Sequence, residues 1–468
     1  MALPKILDVT AIETKPAGVH VQAPSRLARW TDGTRIILKL LSILLPHSFH
    51  LLNLRLTAAR HDRTYKAVPS PKNIVVIGGS FAGVKAAGWL ANAVPTGYRV
   101  VLIEKNSHFN YWFAFPRYSV IKGYEEGAFI PYEDILAGPI KKGSLLRVQA
   151  EAADVTDKQV VLANGEAMEY EYLVIATGSS QPPPAKMKSL DREGAAGELR
   201  ANQGRIAAAK RIAVIGSGAV GVEVASDIKG YFPDKAVTLF SSRDVVMPSF
   251  APKLRTHVAS RLEHLGVDLR YHARPRALEG GKAVQFPDGT TEEFDLVVSY
   301  RLSQWAHLIF AQLPCTGQSP NSGLIGSFLP EAISKQTGRI LVKPNFQLKL
   351  ADHAYQNIFA LGDVAEHGGP RMARAVYVQA GIVRDNLLQM IKGGSPSKEY
   401  KPEIWMEGAI QLTVGKVCSA PRRGEVRELA DSDRMNRSHT CLVRMARICC
   451  FLVLGGQMTL RLSMGGGW

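Results

Sequence analysis

Two short apolar runs, separated by a turn and a stretch rich in small residues, stand out in the first half of the chain. Residues 74–77 are all apolar and strand-forming, and a small-residue helix is predicted from about Phe81. A second apolar strand is predicted over 100–103, and it ends at Glu104. The order strand, tight turn, helix, strand, acid is that of a unit that binds a dinucleotide.

The turn residues fit this chemistry. Gly78 permits a sharp turn off the strand, and Ser80 occupies the usual place of a second glycine while staying small. Gly83 allows the helix to pack closely on the strands, and the helix N-terminus offers N–H groups to phosphates. Glu104 follows Gly83 at the distance where a carboxylate binds an adenosine ribose. A Gly-rich turn of any α/β protein is the alternative, and Glu104 makes it the weaker one.

The same pattern recurs from Arg211. Residues 212–215 predict a strand, and a helix over 219–229 and a strand over 236–240 follow. Here all three fingerprint glycines are present, namely Gly216, Gly218 and Gly221. Two such units in one chain predict two bound nucleotides.

The position of the ribose-binding acid differs in this second unit. It is filled by Ser241, Ser242 and Arg243, so no carboxylate is available for a ribose 2′-hydroxyl. An arginine with hydroxyl neighbours accommodates a 2′-phosphate. The sequence therefore favours NADPH slightly over NADH and leaves use of both open.

Three further patterns complete the main body. A hairpin is predicted around Asn164-Gly165, and a buried strand over 172–176 ends at the turn Thr177-Gly178. A later strand, 358–361, ends at Gly362 and presents Asp363, a candidate for a ribityl or phosphate group. A helix is then predicted over 371–391.

The composition indicates the number of domains but does not identify a substrate. The 468 residues, of which 46% are hydrophobic and 21% charged, predict two or three globular domains. The net charge of +16 is concentrated at the two ends, which carry roughly +10 of it. Nucleic acid is a disfavoured partner because no reader motif accompanies the charge, whereas an anionic membrane surface fits the basic ends.

The region before Lys72 is basic and apolar. Residues 35–56 are interrupted by Lys39, Pro46 and two histidines, which a membrane span would not carry near its centre. An interfacial amphipathic segment and a helix packed on the body are equal alternatives. Five cysteines without framework spacing indicate a reducing compartment. We expect a cytoplasmic protein, with membrane association, including mitochondrial or lipid-droplet surfaces, left open.

Taken together, the motifs IVVIGGSFAG, LVIATGSS, RIAVIGSGAVGVEVASDI, TGQSPN and NIFALGDVAE resemble one family. The chain is similar to the apoptosis-inducing-factor-like flavoproteins that include the ferroptosis suppressor proteins and their fungal relatives. The resemblance implies FAD in the first unit and NADH or NADPH in the second, with hydride passing from nicotinamide to flavin and electrons then to a quinone-type acceptor. It implies no catalytic side chain and no metal.

The residues implied to bind the cofactors follow from the motifs. Those for FAD are Gly78, Ser80, Phe81, Ala82, Gly83, Glu104, Lys105, Arg117, Thr177, Gly178 and Asp363. Those for NAD(P)H are Gly216, Gly218, Val220, Gly221, Glu223, Ser242 and Arg243. The disulfide reductases of this superfamily are disfavoured, because no redox cysteine pair follows the first glycine turn.

The expected fold class is α/β, with two Rossmann-like, three-layer ββα-type dinucleotide-binding domains and a reduced C-terminal α+β region. The predicted boundaries are a basic N-terminal segment (1–71), a discontinuous FAD domain (72–204 and 325–395), an NAD(P) domain (205–324) and a partial interface domain with a divergent basic tail (396–468). A monomer or a homodimer is expected.

Two stretches depart from the family pattern. An aberrant insertion over 299–315 is expected to break a central strand of the NAD(P) domain, and the region after Val417 shows no strand alternation. Both are interpreted as translated non-coding sequence, with a genuine surface loop and a genuine basic tail as the alternative.

The leading functional hypothesis is an FAD-dependent NAD(P)H:acceptor oxidoreductase. A flavin-bearing signalling or binding protein with little turnover and a type II NADH dehydrogenase are the alternatives.

Overall fold

A computed structural model describes residues 49, 52–136, 140–181, 185–299, 319–351, 355–408, 410, 412–422 and 425–427. The chain divides into a unit of residues 1–54 and a unit of residues 55–468. The account below concerns the second unit. Most of the insertion and most of the tail lie outside the described residues.

The described helices and strands alternate over much of this unit. The helices are α1 (52–64), α2 (Phe81–Ala91), α3 (Phe115–Tyr118), α4 (Tyr132–Ile135), α5 (Arg192–Ala208), α6 (Ala219–Tyr231), α7 (Pro252–His264), α8 (Gly323–Gly326), α9 (Ala373–Ile391) and α10 (Ile404–Glu407). The strands are β1 (Lys72–Ile77), β2 (Tyr98–Glu104), β3 (His108–Asn110), β4 (Phe129–Pro131), β5 (Leu145–Gln149), β6 (Ala152–Val155), β7 (Gln159–Leu162), β8 (Ala167–Glu169), β9 (Tyr172–Ile175), β10 (Ser179–Ser180), β11 (Arg211–Ile215), β12 (Ala236–Phe240), β13 (Val267–Arg270), β14 (Arg276–Ala277), β15 (Ala283–Gln285), β16 (Thr291–Glu293), β17 (Leu296–Ser299), β18 (Ser319–Pro320), β19 (Ile340–Leu341), β20 (Ile358–Ala360), β21 (Ala365–Glu366), β22 (Leu412–Val414), β23 (Val417–Arg422) and β24 (Glu425–Arg427).

The first sheet has five parallel strands in the order β20-β9-β1-β2-β5. Its three inner strands are apolar and buried over 74–77, 100–103 and 173–175, because both faces of the sheet are covered there. Val75 and Ile77 of β1 pack with Val155 and Val160 of the three-stranded sheet β6-β7-β8, while α2 packs on β1, β2 and α9. The result is the expected three-layer ββα arrangement.

The second sheet is also parallel, in the order β13-β12-β11-β17. Helix α6 follows β11 and packs on β11, β12 and β13. The predicted α/β fold with two dinucleotide-binding units is therefore confirmed. The domain boundaries stay a prediction, although β20 pairs with β9 and thereby joins a late strand to the first sheet.

The described part of β17 ends at Ser299, where the insertion begins, so the expected disruption of the strand by the insertion stays a prediction. The four residues of β17 pair with Ile212–Ile215 of β11 in unbroken register. The ladder forms because the apolar residues at 296–298 precede the insertion. Beyond it, β18 pairs with β10.

The described part of the region after Val417 forms two strands, β23 and β24, although its sequence shows no strand alternation. They form an antiparallel three-stranded sheet with β22, which lies before Val417. Backbone pairing between chain neighbours explains this, since it needs no alternating side chains. No helix of the described residues is long and apolar enough to cross a membrane.

Candidate cofactor site

A cavity of about 850 Å³ lies at the carboxyl ends of the first sheet's strands. This is the edge at which open parallel α/β sheets bind ligands, and the size is that of a cofactor pocket. Its wall combines the glycine turn after β1, the ends of β2 and β9, and the turn after β20. The predicted FAD residues that line it are Gly78, Ser80, Phe81, Ala82, Glu104, Lys105, Thr177, Gly178 and Asp363.

The glycine turn is shaped by contacts that exclude side chains. Gly78 has φ +99°, and a Cβ there would lie 2.5 Å from the carbonyl oxygen of Ala176. A Cβ on Gly83 would lie 1.7 Å from the carbonyl oxygen of Gly78. Gly83 therefore holds the start of α2 against the turn, an arrangement in which the first N–H groups of the helix would bind an anion.

Glu104 is hydrogen-bonded to this turn through Gly79, a residue that the sequence motif did not single out. The Gly79 N–H donates to Glu104 Oε2, and the Tyr132 hydroxyl donates to the Gly79 carbonyl at 2.7 Å. Burial, and secondarily Glu104, raises the pKa of Tyr132, so it remains a hydroxyl donor. The second oxygen of Glu104 accepts from the Asn106 N–H at 2.8 Å. Gly79 could have been identified as the second glycine of a Gly-Gly-Ser turn.

Asp363 lies on the opposite wall. The Gly362 N–H donates to Gln379 Oε1 of α9 at 2.9 Å, and Arg339 Nε donates to the Asp363 carbonyl at 3.1 Å. The Ser179 hydroxyl is 3.4 Å from Asp363 Oδ2. This bracing aims the carboxylate into the cavity that Gly78 lines. Gln379 and Arg339 are far from the motif in sequence, and no pattern pointed to them.

Aromatic side chains and one lysine form a further part of the wall. Trp112, Phe113 and Phe115 line the cavity, and Phe81 meets Phe113 edge to face with 5.3 Å between ring centroids. Lys186 Nζ lies 3.7 Å from the Trp112 ring centroid and donates to the Ser179 carbonyl. Burial lowers the pKa of Lys186 to about 7. Lys186 had no sequence signal beyond its place after a proline run.

The second glycine loop repeats the geometry of the first. Gly216 has φ +113°, and a Cβ on Gly221 would lie 1.9 Å from the Gly216 carbonyl oxygen. Gly218 caps α6, the helix that starts in this loop. Val220, in the first turn of α6, also lines the flavin-side cavity. The start of the second nucleotide-binding unit thus faces the pocket of the first.

The end of β12 presents the predicted ribose-side residues. Ser241 is buried, where its hydroxyl donates to the Val245 carbonyl at 2.9 Å and accepts from Ser217 at 2.8 Å. Ser242 and Arg243 follow it and are exposed. Because Ser241 anchors the loop, Ser242 and Arg243 remain available to an adenosine ribose.

Two predicted contacts have other partners. Arg117, implied to bind FAD, instead donates from Nε and Nη2 to the Asp227 carboxylate at 3.0 and 2.7 Å. The reason is that Arg117 points to α6, while Phe115 and Pro116 before it line the cavity. Glu223, implied to bind NAD(P)H, accepts from the Thr413 N–H and hydroxyl, both at 3.2 Å. Burial raises the pKa of Glu223 to about 7, against the lowering effect of those bonds.

The two glycine cradles fit FAD and NAD(P)H, because each closes on a backbone carbonyl where any Cβ would collide. Fold and site together define a flavoprotein oxidoreductase with two dinucleotide sites. The family model for pyridine nucleotide-disulphide oxidoreductases matches residues 72–380.

Similar proteins agree with this class. The chain is 31% identical over 392 residues to Fe-regulated protein 8 of Mycosarcoma maydis, covering 77% of this chain and 91% of that protein. It is 30% identical over 340 residues to ferroptosis suppressor protein 1 of Taeniopygia guttata, covering 70% and 83%. The fold matches the sulfide:quinone oxidoreductase of Aquifex aeolicus with a TM-score of 0.60 at 17% identity, covering 83% and 93%.

The chain belongs to the pyridine nucleotide-disulphide oxidoreductase family, in the group of ferroptosis suppressor-like fungal proteins. It is an FAD-dependent NAD(P)H oxidoreductase, as the leading hypothesis predicted, and the signalling-protein and type II dehydrogenase alternatives are less well supported.

Proposed function

We propose that this enzyme oxidises NAD(P)H at the α6 side of the cavity and reduces a quinone-type acceptor. The observation that carries the proposal is a shared wall: Gly78, Asp363 and Val220 all line one cavity. The start of the NAD(P)-binding helix therefore opens onto the space fitted for a flavin. Bound FAD would supply the redox chemistry, accepting a hydride and releasing electrons to the acceptor.

The residues of the chain would bind FAD, orient it and enclose it. We assign the phosphates of FAD to the turn from Gly78 to Gly83 and its adenosine ribose to Glu104. Asp363 would accept hydrogen bonds from the middle of the cofactor; its backbone is held by Arg339, and that of its neighbour Gly362 by Gln379. Trp112 and Phe115 supply apolar wall that keeps water from the reacting edge.

The acceptor assignment has a chemical basis in what the sequence lacks. No redox cysteine pair follows the first glycine turn, so electrons cannot leave through a dithiol there. A two-electron organic acceptor such as a quinone needs no such pair. A quinone dissolved in a membrane would agree with the basic N-terminal region, because exposed arginines attract an anionic membrane surface. On α1, Arg55, Arg60 and Arg63 are exposed, as is the apolar Leu56. We propose a cytoplasmic enzyme attached to an anionic membrane surface.

An anaerobic titration tests the function. The purified protein is expected to be yellow, and its visible absorbance should bleach stoichiometrically on addition of NADH or NADPH. Adding a panel of quinones to the bleached protein should restore the colour. A colourless protein that releases no flavin on denaturation would contradict the cofactor. Bleaching without reoxidation by any quinone would contradict only the acceptor.

Nucleotide preference is tested in the same titration. Arg243 and Ser242 are exposed at the end of β12, and no acid stands at positions 241–243, although the exposed Asp244 follows directly. An arginine at this place suits a 2′-phosphate. The rate of bleaching is expected to reach half its maximum at a lower concentration of NADPH than of NADH. The opposite order would remove Arg243 from the proposed site.

A further inference from the structure

Arg117 and Asp227 form a deeply buried ion pair. Their side chains are 7% and 0% exposed, and the pair is bidentate. Every other ion pair found among the described residues has at least one side chain that is 24% exposed or more. Removing both charges from water is costly and is tolerated only with such complete pairing. The position of this buried ion pair in the fold indicates what it does.

The pair joins the two walls of the cofactor cavity. On one side, Phe115 and Pro116 line the cavity and Arg117 follows them directly in α3. On the other side, Val220 lines the cavity, and Asp227 stands seven residues later in α6. Seven residues are two helical turns, about 10 Å. The ion pair therefore fixes α6 to α3 within two turns of the point where α6 meets the cavity.

The hairpin β22-β23 also contacts the ion pair and α6, and together these contacts form a joint between α3, α6 and the hairpin. Arg117 Nη2 also donates to the Gly415 carbonyl at 2.6 Å, and Thr413 donates twice to Glu223. Gly415 has φ +72°, so the turn between β22 and β23 depends on glycine there. Glu223 and Asp227 are four residues apart and lie on neighbouring turns of α6. The joint thus holds three segments that are far apart in sequence.

We propose that Arg117 and Asp227 are positioning residues for hydride transfer: their ion pair sets the separation between the flavin-side wall on α3 and the nicotinamide-side start of α6. This inference rests on the proposed function. A guanidinium fork fixes both direction and distance, unlike a single hydrogen bond. A displacement of the reacting groups by about 1 Å can lower a rate about a hundredfold.

The test separates positioning from stability. In D227N and R117Q, one buried charge loses its partner, so lower thermal stability is expected. In the double variant R117M/D227L, neither charge of the pair remains and apolar side chains fill the space, so stability should recover. The control is E171Q, which removes a carboxylate from the exposed pair Lys72–Glu171 outside the site. FAD content, affinity for NADPH and the rate of flavin bleaching at saturating NADPH are measured for each under anaerobic conditions.

The double variant is expected to keep its FAD content and, within about threefold, its NADPH affinity. Its bleaching rate should fall about tenfold to a hundredfold. A second readout is amide hydrogen exchange in the first two turns of α6 in the flavin-loaded protein, which should become about tenfold faster. E171Q should match the wild type in both.

Other results would overturn the inference. Wild-type bleaching rates and wild-type exchange in R117M/D227L would make the pair purely structural. A wild-type protein that NADPH does not bleach would refute the proposed function instead. The exchange measurement then still decides whether the pair fixes the start of α6.

Discussion

Glu223 gives the enzyme a pH-dependent stability whose sign follows from its surroundings. Burial is the largest influence and raises its pKa from 4.5 to about 7, with the nearby Asp227 acting in the same direction. Between these values the folded chain retains a proton that the unfolded chain has released. Stability therefore falls as the pH rises from about 4.5 to about 7, and the loss is complete above the folded pKa.

The size of the effect follows from the pKa difference. At about 1.36 kcal/mol per pKa unit, a change from 4.5 to about 7 corresponds to about 3 kcal/mol. Glu223→Gln removes this dependence and retains an oxygen that can accept from Thr413. We expect the variant to match the wild type near pH 4.5 and to exceed its stability by up to about 3 kcal/mol at pH 8.

Thermal unfolding of both proteins across pH 4.5–8 measures the difference. Comparing the two proteins at each pH cancels the other titrating groups. E171Q is the matched control, since it removes a carboxylate from an exposed ion pair instead of a buried site. Parallel wild-type and E223Q profiles would show that Glu223 ionises near its ordinary pKa, and the reasoning from burial would be wrong.

Two further predictions concern the cofactors. Gly83→Ala should abolish FAD binding, because its Cβ would lie 1.7 Å from the Gly78 carbonyl oxygen. As a control, Gly88→Ala in the same helix places a Cβ that meets nothing within 4 Å, so this variant should retain FAD and gain about 0.5–1 kcal/mol in unfolding free energy. Flavin absorbance per chain and thermal unfolding are measured for both variants, and FAD retention by G83A would contradict the proposed role of this glycine turn. Arg243→Ser should raise the KM for NADPH about tenfold and leave the KM for NADH unchanged, because only NADPH carries a 2′-phosphate; steady-state assays with each nucleotide check this, and an equal change for both would contradict it.

The sequence was most informative where chemistry is local. Fingerprint glycines, apolar strands and the acid at the end of β2 lie within one βαβ unit, and periodicity and spacing are properties of neighbours in the chain. The helix predicted at 219–229 is α6, Ala219–Tyr231, and the hairpin around Asn164-Gly165 is β7-β8. Strand β17 likewise begins at the apolar residues 296–298, directly before the insertion.

What the sequence could not supply is the partner of a long polar side chain. Arg117 lies 110 residues from Asp227 and 298 from Gly415, so no spacing rule links them. The family resemblance implied that Arg117 binds FAD, whose phosphates are natural partners for a cation. The fold offered a fully buried carboxylate instead, and desolvation favours that partner. Asp227 is 0% exposed and requires a cation beside it, whereas the phosphates of a bound cofactor would have the N–H groups of α2.

The same reasoning separates nucleotide binding from domain arrangement in this protein. Each nucleotide would be bound largely by backbone around a glycine turn, which specifies a cofactor but not its distance from the other cofactor. We infer that contacts on α6, made by Asp227 with Arg117 and by Glu223 with Thr413, set that distance. A chain with both fingerprints intact and this joint loosened should bind both nucleotides and transfer hydride slowly, because binding and positioning are carried by different residues.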